Sequence, residues 1–429
     1  EIKALLATGL VSKKLDLVSL DNYLALYFIP PWRSVYKDIT PLPPAHRAVY
    51  ENGKLTIERY WQLSSAPSSI SYDDAAHRVR EMLSASVESR MIADVEVGVF
   101  LSGGIDSSIV TALAQSHAKG SLKSFSAGFD EHINELPYAR EVAQHVGTDH
   151  YERNIPVLLD DIRAVTRYFD EPMGDSSNVP TALISKLARE KVKVALSGDG
   201  GDELFFGYGH YRAHWHLPKI KKLLALVLRY NPHDLYVRSG ITMFRPHERA
   251  KLWKDTLAIE TDPTAHIDLS AAETPLQKIN LLDMYLKLPG NMLTKVDRSS
   301  MMHSLEVRSP FLNHELTQFA FSLPDEYKTD RGRGKLILQK ACGDLLPETV
   351  YTRKKQGFGA PVKHWLKEPA LEKLARDFFS HDARIGSFLN MKIVQKYVDA
   401  FYAGDGSLGY KLWVLFTLEL WMREHGESI

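Results

Sequence analysis

The chain has 429 residues, which is long enough for two or three domains, and its 53 lysines and arginines equal its 53 aspartates and glutamates. A balanced charge gives no global field that would recruit nucleic acid or an anionic membrane, so any attraction for an anionic ligand must be local. Cys342 is the single cysteine, which excludes a disulfide within the chain and is typical of a reducing, cytoplasmic compartment.

The first 62 residues form a mixed segment with little core of its own. Residues 1–10 have a helical pattern, and Asn52-Gly53 separates two alternating runs, which predicts a hairpin over 47–61. Residues 63–71 have the composition of a linker, and Ser71 with Asp74 is typical of a capping box that starts a helix over 72–90. The chain begins without a methionine or a signal peptide, so we expect this segment to be the edge of a larger domain.

From residue 95 the pattern alternates between strand and helix, which favours an α/β fold, a parallel sheet with helices on both faces. The predicted strands are 95–101, 122–129, 150–155 and 192–197, and the predicted helices are 107–117, 135–146, 158–169 and 178–191. Beyond about residue 210 helices dominate, giving a helical C-terminal half. The apolar run 412–422 is shorter than the ~18 residues needed to span a bilayer, so we expect a buried helix and no membrane association.

The stretch VEVGVFLSGGIDSS, 95–108, predicts a phosphate site at the end of a strand. Gly103 and Gly104 let the backbone approach a ligand, and the following helix offers free N–H groups to an anion. Asp106 places a carboxylate where a phosphate would be repelled, which usually implies a magnesium ion between them. The pattern is neither GxxxxGK[ST] nor GxGxxG, and the two glycines alone would favour an ordinary strand-to-helix connection.

A second glycine-rich turn, SGDGGDELFFGY at 197–208, follows the predicted strand 192–197. Its acidic residues do not have the spacing of an EF-hand calcium loop, and taken alone they fit a solvated turn as well as a ligand site. Because ligands sit at the carboxyl ends of parallel strands, the loops after 101, 129 and 197 are expected to converge on one site. Asp106 and Asp202 would then share one magnesium ion.

The motifs taken together resemble a known family. SGGIDSS alone looks like the pyrophosphate loop of ATP pyrophosphatases, which have an adenine nucleotide alpha hydrolase-like fold. The fuller set resembles the synthetase domain of glutamine-hydrolysing asparagine synthetases, over roughly 70–425. That set is SGGIDSS, AGFDE with YAREVA and GTDHYE, FDEPMGDSS, SGDGGDE, LEVRSPFL and RKKQGFG, in this order. Residues 1–62 look like the C-terminal remnant of that family's glutaminase domain, 63–71 its linker, and 72–429 the synthetase domain.

The resemblance implies roles for individual residues. Lys335 and Lys355 would contact phosphates, with Lys355 matching the catalytic lysine, and Asp199 would lie near the acceptor's amino group and the attacking ammonia. Composition alone favours surface lysines. Asp297 and Arg298 are expected to contact substrate, although charged groups among Met and Leu more often form packing networks. The implied ATP-binding residues are Phe100, Leu101, Ser102, Gly103, Gly104, Asp106, Ser107, Ala127, Ser197 and Gly198.

The implied reaction is amide synthesis with ATP and Mg²⁺ as cofactors. The acceptor is aspartate by default, activated as an acyl-adenylate and attacked by ammonia that a glutaminase domain supplies from glutamine. Cys342, mid-chain in a predicted helix, is expected to be packed core rather than that domain's nucleophile. The histidines form no HExxH motif, which disfavours a zinc hydrolase. Two alternatives stay open, namely another acceptor (a sugar acid, or β-lactam or peptide cyclisation) and an inactive nucleotide-binding regulator. A homodimer is left open, and Asn313 stands where the family commonly has Asp.

Overall fold

The structure is a computed structural model that describes residues 1–64, 68–129, 135–215, 241–254, 262–353, 360–380 and 382–426. Its central element is a five-stranded, wholly parallel sheet in the order β5-β4-β3-β6-β7. A separate two-stranded antiparallel hairpin, β1 with β2, precedes it. The strands are β1 His46–Glu51, β2 Lys54–Arg59, β3 Val97–Phe100, β4 Lys123–Gly128, β5 Asp149–Asn154, β6 Val194–Leu196 and β7 Glu306–Arg308.

Helices flank the sheet and build the C-terminal half. Those up to residue 215 are α1 Ile2–Ala7, α2 Leu17–Leu26, α3 Tyr72–Arg90, α4 Ile105–His117, α5 Leu136–Val146, α6 Leu159–Tyr168, α7 Asn178–Arg189, α8 Gly201–Leu204 and α9 Gly209–Trp215. The later ones are α10 Pro246–Leu252, α11 Pro275–Leu282, a π-helix Asp283–Leu293, α12 Thr294–Met301, α13 His314–Ser322, α14 Asp325–Lys328, α15 Leu336–Cys342, α16 Thr349–Thr352, α17 Val362–Trp365, α18 Pro369–Phe378, α19 Met391–Tyr402 and α20 Gly409–His425. Single 3₁₀ turns occur at Pro310–Leu312, Gly343–Leu345, Arg384–Ser387 and Gly406–Leu408.

Apolar cores cover both faces of the sheet. One core packs α3, α4 and α15 against Val99 and Leu196, and a smaller one packs the end of α7 against Phe125 and Ala195. The fold class predicted from the alternating pattern is therefore confirmed. The helix 72–90 and its cap are confirmed as well, since the Asp74 backbone N–H donates to the Ser71 hydroxyl at 3.2 Å.

The strand β7 was not predicted, although helices dominate beyond residue 210 as expected. Glu306 to Arg308 pair in parallel with β6, so a segment late in the chain completes the edge of the sheet. This strand has three residues, and two of them are charged, so it lacks the apolar pattern by which the other strands were predicted. The pairing brings the following loop, with Ser309, beside the end of β6, where the Ser309 and Ser197 hydroxyls lie 3.2 Å apart.

The largest core lies in the helical half and includes part of the N-terminal segment. Residues between Leu15 and Tyr36 are buried in it together with α20. The Tyr23 hydroxyl donates to the carbonyl of Val414 at 2.9 Å, and the Val35 backbone N–H donates to the Glu171 carboxylate at 2.7 Å. The N-terminal segment thus contains a buried stretch, 15–36, between the more exposed α1 and the exposed hairpin β1-β2.

The predicted buried helix over 412–422 is confirmed within α20. Glu419 lies inside this apolar run and is fully buried, where its carboxylate accepts the backbone N–H groups of Arg384 and Ile385 and pairs with Arg423. Within the residues that the structure describes, none of the helices combines the length and apolar character that a membrane crossing requires.

Candidate functional site

The first glycine turn lies between β3 and α4, at the carboxyl end of the sheet. Gly103 has a φ of +68°, and a Cβ there would lie 2.6 Å from the backbone of Tyr138, so only glycine lets this turn pack against the start of α5. Gly104 caps α4 without a side chain. The backbone N–H groups of the first turn of α4 therefore point toward the space above the strand, where they favour an anion.

The second glycine turn lies between β6 and α8 and packs directly on the first. A Cβ on Gly201 would lie 2.6 Å from the Asp106 carboxyl, so the two turns can touch only because a glycine stands there. This contact confirms the expectation that the loops after β3 and β6 converge. The Ser197 hydroxyl donates to the Asp199 carboxylate at 2.7 Å, which fixes Asp199 on the same side of the turn.

Lys335 links the two turns. Its ammonium group pairs with the Asp106 carboxylate and, at 2.5 Å, with Asp202 Oδ1, and the side chain is almost completely buried. Burial lowers the pKa of Lys335, but the charges of the two carboxylates raise it by more. The net pKa of Lys335 therefore lies well above its usual value. The ammonium therefore keeps its charge at neutral pH. Lys335 also has a left-handed backbone (φ 60°) just before α15, a conformation that costs about 1 kcal/mol or more and that fixes the direction of its side chain.

Asp106 and Asp202 have the chemistry that a magnesium ion needs. Both carboxylates already share one cation, the Lys335 ammonium, beside the phosphate loop. Magnesium is usually bound by one or two carboxylates together with substrate phosphates and waters. No cluster of three or more His, Cys, Asp or Glu side chains in the described part of the chain is arranged to hold a metal by itself. The pair thus fits a magnesium ion that also has phosphate ligands.

A cavity of about 700 Å³ opens at this edge of the sheet. Its volume is in the range of small-molecule sites, and it has both apolar and charged walls. Among its lining residues are twelve of the predicted site residues, namely Phe100, Leu101, Ser102, Gly104, Asp106, Ser107, Ala127, Ser197, Gly198, Asp199, Asp202 and Lys335. Gly103 shapes the turn beneath it, and Lys355 lies outside the described residues. The ligand roles of these residues stay predictions.

Asp297 and Arg298 are the two predicted substrate contacts that the structure does not bring to the cavity. Neither is among the lining residues, Asp297 is exposed, and the Arg298 guanidinium pairs with the Glu1 carboxylate at 2.6 Å. A packing and ion-pair role, the simpler interpretation of this charged segment, fits their position better than substrate contact.

Lys295, two residues earlier on the same helix, lines the cavity instead. Its buried ammonium donates to the Ser177 hydroxyl at 2.9 Å and lies 3.7 Å from the Asp175 carboxylate. Burial raises the pKa of Asp175, but the Lys295 charge and the hydrogen bonds from Ser177 together lower it by more. The net pKa of Asp175 is therefore below its usual range. Sequence reasoning did not assign this pair a role, although Asp175 stands in the FDEPMGDSS motif.

The π-helix explains how Lys295 and its neighbours reach the cavity. Its wider turns precede α12, and Lys287 and Asn291, four residues apart, face the same cavity. Lys287 lies 4.1 Å from the ring centre of Tyr208, whose hydroxyl donates to the buried Glu203 carboxylate at 2.6 Å. Burial raises the pKa of Glu203 to about 7, and the neighbouring Asp202 charge adds to this. π-Helical turns have no simple sequence period, so this face was not predictable from residue spacing.

Glu135 and Arg353 form a second missed pair, beside the first glycine turn. Their side chains pair at 3.2 Å and both line the cavity. The Arg353 guanidinium also lies 4.5 Å from the centre of the Tyr138 ring. Arg353 precedes Lys355 in the RKKQGFG motif, which is the signal that could have identified it.

Two expectations away from the cavity are resolved. Cys342 is fully buried in the core beside the sheet, and burial raises the pKa of its thiol to about 12, so the packed-core prediction is confirmed. Asn313 caps α13, since its side-chain oxygen accepts the backbone N–H groups of Glu315 and Leu316 at 2.9 and 3.2 Å. An amide does this as well as a carboxylate, which accounts for Asn at this position without an ion pair.

The chain is similar to known proteins over most of its length. The asparagine synthase family model matches residues 78–423. Asparagine synthetase [glutamine-hydrolyzing] 1 of Bacillus subtilis is 28% identical over 95% of this chain and 69% of its own length. The putative asparagine synthetase [glutamine-hydrolyzing] of Mycobacterium tuberculosis is 30% identical over 95% of this chain and 67% of its own. A more distant relative, amidase chyE of Penicillium rubens, is 23% identical over 96% and 74%.

Proposed function

The chain belongs to the asparagine synthase family, and from that we propose that it makes asparagine, joining ammonia to the β-carboxylate of L-aspartate with cleavage of ATP to AMP and pyrophosphate. The observation that carries this proposal is the shared cation of Asp106 and Asp202 beside a glycine phosphate loop. A triphosphate needs anion-binding N–H groups and a neutralising metal in one place, and this edge of the sheet offers both.

A carboxylate resists attack by ammonia because its oxygen is a poor leaving group, so the acid is first activated. An aspartate oxygen bonds to the α-phosphorus of ATP while the bond from that phosphorus to the bridging oxygen breaks, and the electron pair leaves on pyrophosphate. Ammonia then adds to the acyl-adenylate carbon, loses a proton, and AMP departs. A magnesium ion held by Asp106 and Asp202 would neutralise charge on the phosphates.

The residues of the first turn bind the triphosphate in this proposal. The N–H groups at the start of α4, with the Ser102 and Ser107 hydroxyls 3.0 Å apart, face the phosphates, and the adenosine rests against Phe100 and Ala127. Lys335, and by resemblance Lys355, stabilise the negative charge that grows on the leaving pyrophosphate. A preorganised donor of this kind contributes about 3 to 4 kcal/mol to a transition state.

The acceptor end is formed by the π-helix and the loop before α7. Lys295 and Asp175 carry opposite charges in one cavity, which suits an acceptor that has both a carboxylate and an amino group. Asp199 lines the same cavity, and we assign it to the acceptor's amino group and the incoming ammonia.

We further propose that ammonia comes from glutamine in the full-length protein. The two bacterial relatives are named glutamine-hydrolyzing, and this chain spans about two thirds of their length. Residues 1–62 are then the C-terminal part of a glutaminase domain, 63–71 the linker and 72–429 the synthetase domain. Cys342 is too deeply buried to act as the glutaminase nucleophile.

The test is pyrophosphate release with ammonium, ATP and magnesium, screened over candidate acids. We expect L-aspartate to support release and asparagine to accumulate in equal amount, and an Asp202→Asn variant to lose both. Release with a sugar acid or an internal amine instead of aspartate would keep the activation chemistry and overturn the acceptor. No release with any acid, from protein that still binds ATP, would favour the inactive regulator.

A further inference from the structure

The guanidinium of Arg353 lies against the first glycine turn, where the phosphates are proposed to bind. Its Nη2 atom donates to Glu135 Oε1 at 3.2 Å and lies 3.5 Å from the position that a Cβ on Gly104 would occupy. The plane of the group covers the Tyr138 ring at 4.5 Å, so its orientation is fixed from two sides. Arg353 therefore presents a fixed charge at the turn where the phosphates are proposed to bind.

One arm of this guanidinium is unused. The Arg353 side chain is 11% exposed, and its Nη1 atom is buried without a hydrogen-bond partner among the described residues. Leaving a buried charged donor unpaired costs about 1 to 3 kcal/mol or more, so such donors usually have a ligand. Lys335 differs, since two carboxylates already bind its ammonium.

The geometry points to an oxyanion as that ligand. A guanidinium is a planar fork that can bind one anion with each arm. Here Glu135 takes the Nη2 arm, and the Arg353 side chain as a whole is part of the cavity wall. Glu135 sits just before α5, whose first turn packs against Gly103, so the pair and the phosphate loop are held as one unit. Glu135 is thus a positioning residue for Arg353.

We infer that Arg353 binds the β- and γ-phosphates of ATP and keeps hold of pyrophosphate after AMP leaves. The inference rests on the proposed function, because it names a residue for the leaving group of that reaction. A lysine would satisfy Glu135 equally well, whereas only the fork can hold Glu135 and a phosphate oxygen together. Arg353 should therefore distinguish ligands that contain a pyrophosphate from those that do not.

Calorimetric titration of the whole chain with magnesium pyrophosphate, and separately with AMP, tests this. Arg353→Met should weaken pyrophosphate binding by about tenfold or more, the loss expected for one charge-assisted hydrogen bond, and leave AMP binding within about twofold. The affinity of Arg353→Lys for pyrophosphate should lie between that of the native protein and that of Arg353→Met. Glu135→Gln should weaken pyrophosphate by a smaller factor, because Nη2 loses its charged anchor while the donor stays.

Arg153→Met is the matched control, since Arg153 pairs with Glu190 at 3.0 Å on the exposed edge strand β5 and does not line the cavity. It should change neither titration. Equal weakening of pyrophosphate and AMP binding by Arg353→Met would assign the residue a merely structural role. Pyrophosphate binding that is unchanged in Arg353→Met, or that cannot be measured in the native protein, would also overturn the inference. A selective loss in a protein that releases no pyrophosphate with any acid would sustain the site and reject the proposed function.

Discussion

Replacing Lys335 by methionine removes the cation that two carboxylates share. The facing oxygens of Asp106 and Asp202 would then lie no more than roughly 5 Å apart, the sum of two charge-assisted hydrogen bonds, in a partly buried site. At an effective dielectric constant of 20, two like charges at this distance repel by about 3 kcal/mol. The folded-state pKa of Lys335 is raised, so its stabilisation is fully present below the pKa of a free lysine and is lost only as the pH rises through that higher folded-state pKa. At pH 7 the native protein therefore has the whole of this stabilisation, and Lys335→Met lacks all of it.

The assay is thermal unfolding with and without magnesium. Lys335→Met should lower the Tm by about 6 °C at pH 7, taking about 2 °C per kcal/mol for a chain of this size. Magnesium should restore more of the variant's Tm than it adds to the native protein, because the freed carboxylates bind it. Lys340→Met, which breaks an exposed pair with Asp73, is the control and should change Tm by about 2 °C at most. An unchanged Tm in Lys335→Met, or no magnesium effect on that variant, would refute the reasoning.

Three further predictions concern Lys355 and two residues that line the cavity, Lys295 and Glu203. Lys355→Ala should keep ATP binding by calorimetry and lose pyrophosphate release, and unchanged turnover would remove Lys355 from the mechanism. Lys295→Met should raise KM for the acceptor by about tenfold with little change in KM for ATP, because it removes the cation beside Asp175, and equal rises would contradict an acceptor role. The pKa of Glu203 is raised to about 7, so the folded state binds more protons than the unfolded state between about pH 4.5 and 7, and stability falls as the pH rises through that range. Glu203→Gln should therefore narrow the difference in Tm between pH 5 and pH 8. An unchanged difference would mean that other groups cause the pH dependence of the Tm.

Local signals predicted most of the fold because the residues that carry them act on their immediate neighbours. Asn52 and Gly53 both have positive φ and close the hairpin, and Ser71 caps α3. The strands at the centre of the sheet were predictable because burial on both faces demands an apolar run. The short edge strand β7 carries no such run, so its pairing is set by the rest of the structure rather than by its own residues.

The site was predictable to a smaller extent. The two glycine turns could be placed at one edge of the sheet, because the carboxyl ends of parallel strands meet there. The pair of Glu135 and Arg353 joins positions 218 residues apart, and no spacing along the chain connects them. The residues that the π-helix presents to the cavity could not be read from residue spacing either. The resemblance suggested Asp297 and Arg298 for substrate contact, whereas Lys295 is the residue of that segment that lines the cavity.

The burial of residues 15–36 among the C-terminal helices has a practical consequence. Asp21 accepts from both Arg249 and Trp253 at 3.0 and 2.9 Å inside that core, and Tyr23 reaches Val414. A recombinant protein that started at the linker would lack Asp21, so the buried Arg249 would lose this carboxylate partner. It would also expose the apolar surface of α20 that residues 15–36 cover. Anyone who wishes to express or crystallise this half by itself should cut ahead of Leu15, and an exchange of partner domains between relatives should carry this stretch with the C-terminal piece.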